Sequence, residues 1–374
     1  MQSFPRSGAC AREVAYAASF SLLFIAIASA LMKLPSTSFA QQTQSLNSRW
    51  VNSTTPSQWV FNSLIRLNNG EVLGVGANPA GVFEEAAIVR IYDPVTDSWR
   101  DTTSLNSPRR AGSAFLLFDG RVLVLGGYKT FPVQIAPGPP EIYDPGTGRW
   151  TVVQGDASEP TNANLFLRSS FTYLPNGKIL MLSQVFGYAY ILDPESGALK
   201  QITLPSKING NSRPSSINLR NGKVLFLDGF TFGQPTPSVE IFDPATESWS
   251  LTGSPQFTIA ESFSGRLAAT LPDGSVLGLF SATPNQLISS LFDPEAGKWG
   301  ITKNLISRFS GGIEALPTGE VIAFQENAAE IFNGGANIWR TVNAPTQRVG
   351  NSVLLANGNV FTGKELYGVD SRWF

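Results

Sequence analysis

The stretch LFDGRVLVLGG at residues 117–127 decides the fold of this chain, because variants of it return along the sequence. It places Asp119 and Gly120 between a leucine and a run of four apolar residues, 122–125. An Asp-Gly or Asn-Gly pair between two apolar runs is the strongest short-range signal for a β-hairpin. A type I′ turn, with positive φ at both central residues, is therefore expected at this pair. The stretch predicts two antiparallel strands joined by a tight turn.

The hairpin pattern occurs seven times, each time as a leucine, any residue, an Asn, Asp or Thr, and a glycine. The leucine and glycine of successive copies are Leu67 and Gly70, Leu117 and Gly120, Leu174 and Gly177, Leu219 and Gly222, Leu271 and Gly274, Leu316 and Gly319, and Leu355 and Gly358. Successive glycines are 39 to 57 residues apart. Self-similarity with a period of this size is the signature of a repeat architecture.

A second pattern lies between successive hairpins: an apolar residue, an aromatic residue or leucine, Asp-Pro, and a tryptophan or leucine six residues after the Asp; in the sixth copy Asn333-Gly334 replaces Asp-Pro. The residues at the tryptophan position are Trp99, Trp150, Leu199, Trp249, Trp299 and Trp339, and the seventh copy is reduced to residues 366–368. Proline cannot donate a ladder hydrogen bond, so Asp-Pro is expected to end a third strand and the tryptophan to lie on a fourth. Four antiparallel strands in each repeat make a propeller blade. The sequence therefore predicts an all-β, seven-bladed β-propeller of four-stranded antiparallel blades.

The combined pattern, Leu-x-Asn/Asp-Gly-x-Val-Leu followed by Tyr/Phe-Asp-Pro and Trp, resembles the kelch repeat of bacterial exported proteins and of the central propeller domain of galactose oxidase. The resemblance covers roughly residues 48–374, and the family's Gly-Gly doublet is kept at Gly126-Gly127. The copper site of galactose oxidase needs two histidines and a Tyr–Cys crosslink. This sequence has no histidine, and its single cysteine is Cys10. The resemblance therefore implies the fold without the oxidase activity, and no cofactor is expected.

The two ends of the chain predict how the ring closes. Residues 47–51 have the pattern of a fourth strand without its three predecessors, while the seventh repeat is short. Kelch-like propellers commonly close when an N-terminal strand completes the last blade. We therefore expect the strand around Trp50 to complete the blade that holds Leu355 and Tyr367; the alternative is closure by residues 371–374. Closure matters because an open ring would expose two sheet edges.

The N-terminus has the organisation of an export signal. Arg6 and Arg12 precede an apolar run, 17–32, and Ser38-Phe39-Ala40 provides small residues for cleavage. We expect cleavage after Ala40 and a secreted or periplasmic protein with no membrane span; an uncleaved membrane anchor is the alternative. The predicted organisation is a signal peptide at 1–40, a short linker at 41–47 and the propeller at 48–374.

Charge and composition exclude several function classes. The net charge is −1, and the longest basic run is the pair Arg109-Arg110, so no nucleic-acid partner is expected. Without histidine, and without cysteine after cleavage, the chain cannot form a Ser-His-Asp triad, a Cys-His pair or a metal site of His and Cys ligands. No metal site is expected.

Arginine precedes the hairpin turn in six of the seven repeats, by 7 to 10 residues: Arg110, Arg168, Arg213, Arg266, Arg308 and Arg348. The first strand of a blade lines the central channel, so these side chains are expected near one channel mouth. A ring of guanidinium groups there would bind a carboxylate, sulfate or phosphate. The alternative is structural, with each arginine bound to backbone carbonyls or to an Asp of its own blade.

Glu314 is the second candidate ligand-binding residue. It lies in the first strand of the sixth repeat, where the other repeats have mostly apolar residues, and a lone carboxylate is costly to bury without a partner. It is either a site residue or the partner of Arg308 in an ion pair.

Aromatic residues divide into repeated and unrepeated ones. The tryptophans that recur with the blades are expected to pack between blades. Aromatic residues outside the repeat are candidates for stacking on sugars, with ordinary loop packing as the alternative: Tyr128, Phe131, Phe166, Phe230 and Phe232.

Together these features favour an exported, monomeric, non-enzymatic binding module that recognises a protein or a glycan through loops on one propeller face. The alternative is a carbohydrate- or sugar-acid-active enzyme, of isomerase or mutarotase type, with its site at the mouth of the central channel. The fold cannot decide between them, because propellers of this kind include both classes.

Overall fold

The computed structural model describes residues 49–54, 59–76, 78–79, 87–129, 135–159, 162–167, 169–183, 187–205, 215–227, 239–253, 268–283, 286–302, 312–347 and 351–368. The predicted signal peptide and linker, and the alternative closing segment 371–374, lie outside these residues.

The described chain is built from β-strands with two short 3-10 turns, at Asp156–Ser158 and Ala163–Phe166. The strands in chain order are β1 (Arg49–Asn52), β2 (Trp59–Val60), β3 (Ser63–Arg66), β4 (Val72–Val75), β5 (Asn78–Pro79), β6 (Val89–Asp93), β7 (Ser98–Asp101), β8 (Ser113–Leu116), β9 (Val122–Leu125), β10 (Glu141–Asp144), β11 (Arg149–Val152), β12 (Ser169–Tyr173), β13 (Ile179–Ser183), β14 (Tyr188–Leu192), β15 (Leu199–Ile202), β16 (Ser215–Asn218), β17 (Val224–Leu227), β18 (Val239–Asp243), β19 (Ser248–Leu251), β20 (Ala268–Thr270), β21 (Val276–Thr283), β22 (Gln286–Asp293), β23 (Lys298–Ile301), β24 (Gly312–Ala315), β25 (Val321–Gln325), β26 (Ala328–Asn333), β27 (Ile338–Thr341), β28 (Val353–Leu354), β29 (Val360–Phe361) and β30 (Glu365–Gly368).

These strands form seven four-stranded antiparallel sheets, which confirms the predicted seven-bladed β-propeller. Blade 1 contains β3, β4, β6 and β7, and blades 2 to 6 each take the next four strands in order. Blade 7 contains β28, β29, β30 and β1, while β2 and β5 pair with each other. The first strand of each blade faces the central channel. One end of the channel carries the hairpin turns and is called the turn face; the other, where the first strands begin, is called the loop face.

Seven hydrophobic clusters hold the ring together, and each lies between two successive blades. The second strand of a blade supplies both of its neighbours. In β9, Val122 and Val124 face blade 1, whereas Leu123 and Leu125 face blade 3. Burial of one such side chain stabilises the fold by about 1.5 to 3 kcal/mol. The first four residues of each long second strand are therefore apolar or glycine, because both faces of these strands are buried.

The repeated tryptophans pack between blades, as the sequence predicts. Trp150 contacts the cluster between blades 1 and 2, and its Nε1 donates to the carbonyl of Thr103 at 2.9 Å. Trp249 donates in the same way to the carbonyl of Thr203 at 2.9 Å. Both carbonyls follow the fourth strand of the preceding blade. Each of these indoles therefore joins two blades by packing and by one hydrogen bond.

Ring closure follows the N-terminal alternative. β1 pairs with β30, and Trp50 lies opposite Tyr367. The Nε1 of Trp50 donates to the carbonyl of Asn343 at 2.9 Å, just after the fourth strand of blade 6. This bond repeats the one made by Trp150 and Trp249. The expected closure by the strand around Trp50 is confirmed.

The hairpin turns are confirmed, but the expected type I′ geometry is wrong. The seven turn glycines have φ between +82° and +92°, whereas the Asn, Asp or Thr before each of them does not have a positive φ. In the first turn Gly70 donates to the carbonyl of Leu67 at 3.0 Å, and Leu67 donates to the carbonyl of Glu71 at 2.8 Å. This is a three-residue hairpin loop that ends in a glycine bulge. The Oδ1 of Asn69 accepts the N–H of Glu71 at 3.1 Å, so this position needs a side-chain acceptor instead of a left-handed backbone.

Candidate functional site

The first strands of the seven blades surround a central cavity of about 820 Å³. Its wall is rich in hydroxyl and amide groups. The hydroxyl side chains are Ser63, Ser113, Thr172, Ser215, Ser216 and Thr270, and the amides are Asn62, Asn218 and Asn351. A cavity of this size, with convergent polar groups, is the usual form of a small-ligand site.

Hydrogen bonds between blades fix several of these polar side chains. The hydroxyls of Thr172 and Ser216 are 2.7 Å apart, and Asn218 Nδ2 donates to the carbonyl of Tyr173 at 2.9 Å. Asn351 Nδ2 donates to the carbonyl of Asn62 at 2.7 Å across the boundary between blades 7 and 1. These bonds use the amide N–H groups and leave the Oδ1 atoms of the two asparagines as acceptors. The wall is therefore ordered in advance of any ligand.

Blades 2 and 3 give the cavity an aromatic side. Phe115, Phe171 and Tyr173 line it, and the ring centroids of Phe115 and Tyr173 are 6.3 Å apart. The hydroxyl of Tyr173 accepts the N–H of Phe118 at 3.1 Å, and burial raises the pKa of this hydroxyl. The phenol therefore stays protonated near neutral pH.

Glu314 lies on the opposite side of the ring, in β24 of blade 6. It lines the cavity, is 5% exposed, and accepts a hydrogen bond from Ser352 Oγ at 2.7 Å. Among the described residues that line the cavity it is the one charged side chain. Arg308, its alternative partner, lies outside the described residues. A ligand role for Glu314 stays a prediction.

Arg110 is the one member of the expected arginine ring that falls on described residues. Its guanidinium carbon lies 5.9 Å from the centre of the Tyr128 ring, and the two residues exchange backbone hydrogen bonds of 2.9 and 3.0 Å. It is not among the residues that line the central cavity. The other five arginines, Arg168, Arg213, Arg266, Arg308 and Arg348, lie outside the described residues, so the ring stays a prediction.

The candidate sugar-stacking aromatics have different outcomes. Phe166 is wrong as an exposed contact: it is fully buried, its ring 6.4 Å from that of Phe171 in the core between blades 2 and 3. Tyr128 lies on the loop face against Arg110. Phe131, Phe230 and Phe232 lie outside the described residues.

A buried carboxylate that the sequence reasoning missed holds the loop leading into blade 2. Glu141 accepts hydrogen bonds from the backbone N–H groups of Asn106 at 2.8 Å and Ser107 at 2.9 Å, and from Arg109 Nη2 at 3.0 Å. Both charged side chains are almost fully buried. Burial lowers the pKa of Arg109, and the negative charge of Glu141 opposes that shift. Because this loop precedes β8, the pair sets where a channel-lining strand begins.

A buried glutamate occupies the equivalent position in the third strands of other blades. Glu365 accepts the N–H groups of Thr346 and Gln347, both at 3.1 Å, in the loop that enters blade 7. Glu240 and Glu330 are buried at the equivalent strand position. The signal was present in the sequence, since each glutamate stands three residues before the Asp, Asn or Gly that closes the third strand.

Blade 1 has Arg90 at this position and uses a different contact. The guanidinium carbon lies 5.4 Å from the centre of the Trp59 ring, and Nε donates to Asp101 at 2.7 Å. A cation held over an aromatic face is attracted by the ring quadrupole. Trp59 belongs to the segment that enters blade 1, so a cation–π contact there replaces the carboxylate.

Within the described ranges, no cluster of acidic side chains could hold a metal ion. Over the same ranges, no helix has the length and apolar character needed to cross a bilayer. The expectation that the protein has no metal and no cofactor stays a prediction.

Comparison with known proteins supports the kelch resemblance. No protein-family profile matches the chain. A putative F-box/kelch-repeat protein of Arabidopsis thaliana is 25% identical over 180 residues, which are 48% of this chain and 46% of that relative. The match thus spans about half the length of the relative.

Two solved structures share the fold. Virginiamycin B lyase from Staphylococcus aureus superposes with a TM-score of 0.57 at 11% identity, over 86% of this chain and 98% of the lyase. A fungal alcohol oxidase of the AA5 family, in complex with copper, gives a TM-score of 0.57 at 15% identity, over 82% of this chain and 78% of the oxidase. At these identities the similarity establishes the propeller architecture and nothing about chemistry.

Proposed function

Because this chain is a kelch-repeat β-propeller, a fold typical of protein-interaction modules, we propose that it is an exported, non-enzymatic binding module. We propose further that its ligand is a glycan, bound in the cavity of the central channel. The observation that carries this proposal is the composition of the cavity wall: hydroxyl and amide groups, one aromatic side, and one carboxylate among the described residues.

The two sides of the cavity match the two faces of a sugar. A pyranose ring presents C–H groups on one face and hydroxyls around its edge. Phe115 and Phe171 line one side of the cavity, and the negative quadrupole potential of an aromatic face attracts polarised C–H groups. Ser113, Thr270 and the Oδ1 of Asn351 offer hydrogen-bonding partners for sugar hydroxyls.

Binding without catalysis is supported by the single carboxylate. Hydrolysis of a glycosidic bond normally uses two carboxyl groups that flank the bond. Glu314 has no second carboxylate beside it among the described residues that line the cavity.

Export is supported by the N-terminal sequence alone. Arg6, Arg12, the apolar run 17–32 and the small residues before Gln41 have the order of a secretory signal. Secretion or transfer to a periplasm would place the propeller where free glycans are met.

The test is a screen of the purified protein against neutral oligosaccharides, sugar acids and extracellular proteins, followed by calorimetry on the ligands found. Thr270→Val removes one cavity hydroxyl at nearly constant volume and is expected to weaken glycan binding about 3- to 10-fold. Thr341→Val, on the exposed outer strand of blade 6, is the control and is expected to change nothing. Binding of proteins alone, or equal binding by Thr270→Val, would reject the glycan site.

A carbohydrate-active enzyme of isomerase or mutarotase type is the second candidate, favoured by the burial of Glu314 inside the cavity. The purified protein is mixed with a sugar acid or with a single sugar anomer, and isomerisation of the acid or interconversion of the anomers is followed by NMR. Catalysis that disappears in Glu314→Gln, with binding retained, would establish the enzyme. Arg110→Ala and Arg348→Ala test the arginine ring in the same assay.

A further inference from the structure

The turn face carries a second concave site, separate from the central cavity. It has a volume of about 470 Å³ and lies where β3 of blade 1 reaches the hairpin turns. Its wall includes Arg66, Asn68, Leu116 from blade 2 and Ala356 from blade 7. The site therefore spans three neighbouring blades around one arginine.

Arg66 differs from the other charged residues of this face, because it has no partner among the described residues. It is exposed, and its guanidinium makes no hydrogen bond or ion pair with them. By contrast, Arg100 pairs with Glu71 at 2.8 Å, Arg121 pairs with Asp119, and Arg220 donates to the carbonyl of Pro272. An unpaired guanidinium in a concavity is available to an anion.

The position of Arg66 also departs from the repeat. The residue before the turn leucine is uncharged in the other six blades: Leu116, Tyr173, Asn218, Thr270, Ala315 and Leu354. All seven positions have the same place in the fold, so a side chain that the scaffold required would recur. Leucine occupies this position in blades 2 and 7, so the repeat does not require an arginine here.

Apolar side chains adjoin the guanidinium. Leu116 of blade 2 and Ala356 of blade 7 line the same concave site as Arg66. Leu116 is partly exposed, so an apolar group beside a bound anion can pack against it.

We propose that this turn-face site binds a carboxylate that carries an apolar group next to it. The planar fork of Arg66 matches the two oxygens of a carboxylate, and the amide of Asn68 can add a third donor. Leu116 and Ala356 cover the apolar group. The same chemistry is presented by a free aryl or acyl carboxylic acid and by the C-terminal carboxylate of a peptide that ends in an apolar residue.

The test uses N-acetylphenylalanine and its uncharged amide as matched probes, titrated into the purified protein by calorimetry or ligand-observed NMR. The acid is expected to bind at least about 10-fold more tightly than the amide, because a hydrogen bond to a charged group is stronger than one between neutral groups. Higher salt is expected to weaken binding of the acid only. Equal affinity of the two probes would overturn the proposal.

Variants separate a specific site from general surface charge. Arg66→Leu, which installs the residue found in blades 2 and 7, is expected to reduce binding of the acid to that of the amide without changing the unfolding midpoint. Arg66→Lys keeps the charge but not the fork, and is expected to retain only part of the affinity. Arg220→Leu, on the same face, is the control and is expected to bind the acid normally. Undiminished binding by Arg66→Leu would overturn the proposal.

A second pair of probes distinguishes the two sources of the carboxylate. A pentapeptide that ends in phenylalanine is compared with N-acetylphenylalanine, and with the same peptide carrying a C-terminal amide. If the free-acid peptide binds more tightly than N-acetylphenylalanine, the site is assigned to peptide C-termini. If these two probes bind equally, the site is assigned to free carboxylic acids. If the amidated peptide bound as well as the free-acid peptide, a carboxylate site would be ruled out.

Discussion

Replacement of Glu141 by glutamine is expected to lower the free energy of unfolding by about 3 to 5 kcal/mol, the usual cost of breaking a buried ion pair from one side. Glu141 is fully buried, and each of its oxygens accepts two hydrogen bonds. Oε2 accepts the backbone and side-chain N–H groups of Asn106, both at 2.8 Å, while Oε1 accepts Ser107 N and Arg109 Nη2. Whichever oxygen becomes the amide NH₂, two donors lose their acceptor and Arg109 loses its counter-charge.

The same reasoning predicts an asymmetry between the two partners. In Arg109→Met the carboxylate of Glu141 keeps three N–H donors from Asn106 and Ser107. It is therefore not left uncompensated, and the expected cost is about 1 to 2 kcal/mol. Glu195→Gln, which breaks the exposed pair with Arg121, is the surface control and is expected to cost less than about 1 kcal/mol.

Urea denaturation, followed by tryptophan fluorescence, measures all three variants. The order Glu141→Gln, then Arg109→Met, then Glu195→Gln is the expected order of destabilisation. If Glu141→Gln unfolded at the same urea concentration as the unmodified protein, or if Arg109→Met were the more damaging change, the assignment of Glu141 as a loop anchor would fail.

Three further outcomes are expected from the same measurement. Trp50→Ala is expected to lower the free energy of unfolding by about 3 to 5 kcal/mol by removing the closing contact of blade 7, whereas Trp50→Phe, which loses mainly the bond to the Asn343 carbonyl, costs about 1 kcal/mol. Equal costs would argue against the packing contribution, and a Trp50→Phe variant as stable as the unmodified protein would argue against the hydrogen bond. Gly222→Ala is expected to lower the free energy of unfolding by about 1 to 2 kcal/mol, because its φ of +82° is unfavourable for alanine. Gly319→Ala is expected to cost more, because its new Cβ would also lie 2.9 Å from Pro272 Cγ. A larger cost for Gly222→Ala than for Gly319→Ala would contradict this geometry. Hydrogen bonds from Thr96 and Val95 lower the pKa of Asp93. The stabilisation from its carboxylate is therefore present above about pH 4 and is lost as the pH falls through the lowered pKa. Asp93→Asn keeps the turn acceptor and should flatten the decline in the free energy of unfolding between about pH 5 and pH 3; an unchanged decline would refute this role of Asp93.

The number of blades and the order of their strands could be predicted from the amino-acid sequence, which also favoured the strand around Trp50 for closure over the alternative, residues 371–374. Each of these rests on local chemistry that recurs in every repeat. Gly70 and its equivalents mark the hairpins, and Trp50 could be recognised as a fourth-strand residue because Trp150 and Trp249 have the same pattern around them. A pattern that repeats seven times is read more securely than a pattern seen once.

The turn geometry and the side chains that meet at each site became evident only in the folded structure. Asn69 was expected to adopt a positive φ, but its Oδ1 instead accepts the N–H of Glu71. Both roles favour asparagine, so the sequence cannot distinguish them and the backbone dihedrals are needed. Phe115 and Phe171 line one side of the channel and Glu314 lines the opposite side, although these residues are far apart in the sequence. The loop anchor Glu141 and the unpaired Arg66 likewise depend on which side chains from different blades meet. Repetition fixes what every blade shares, whereas recognition depends on the differences between blades, and these act only where the ring brings them together.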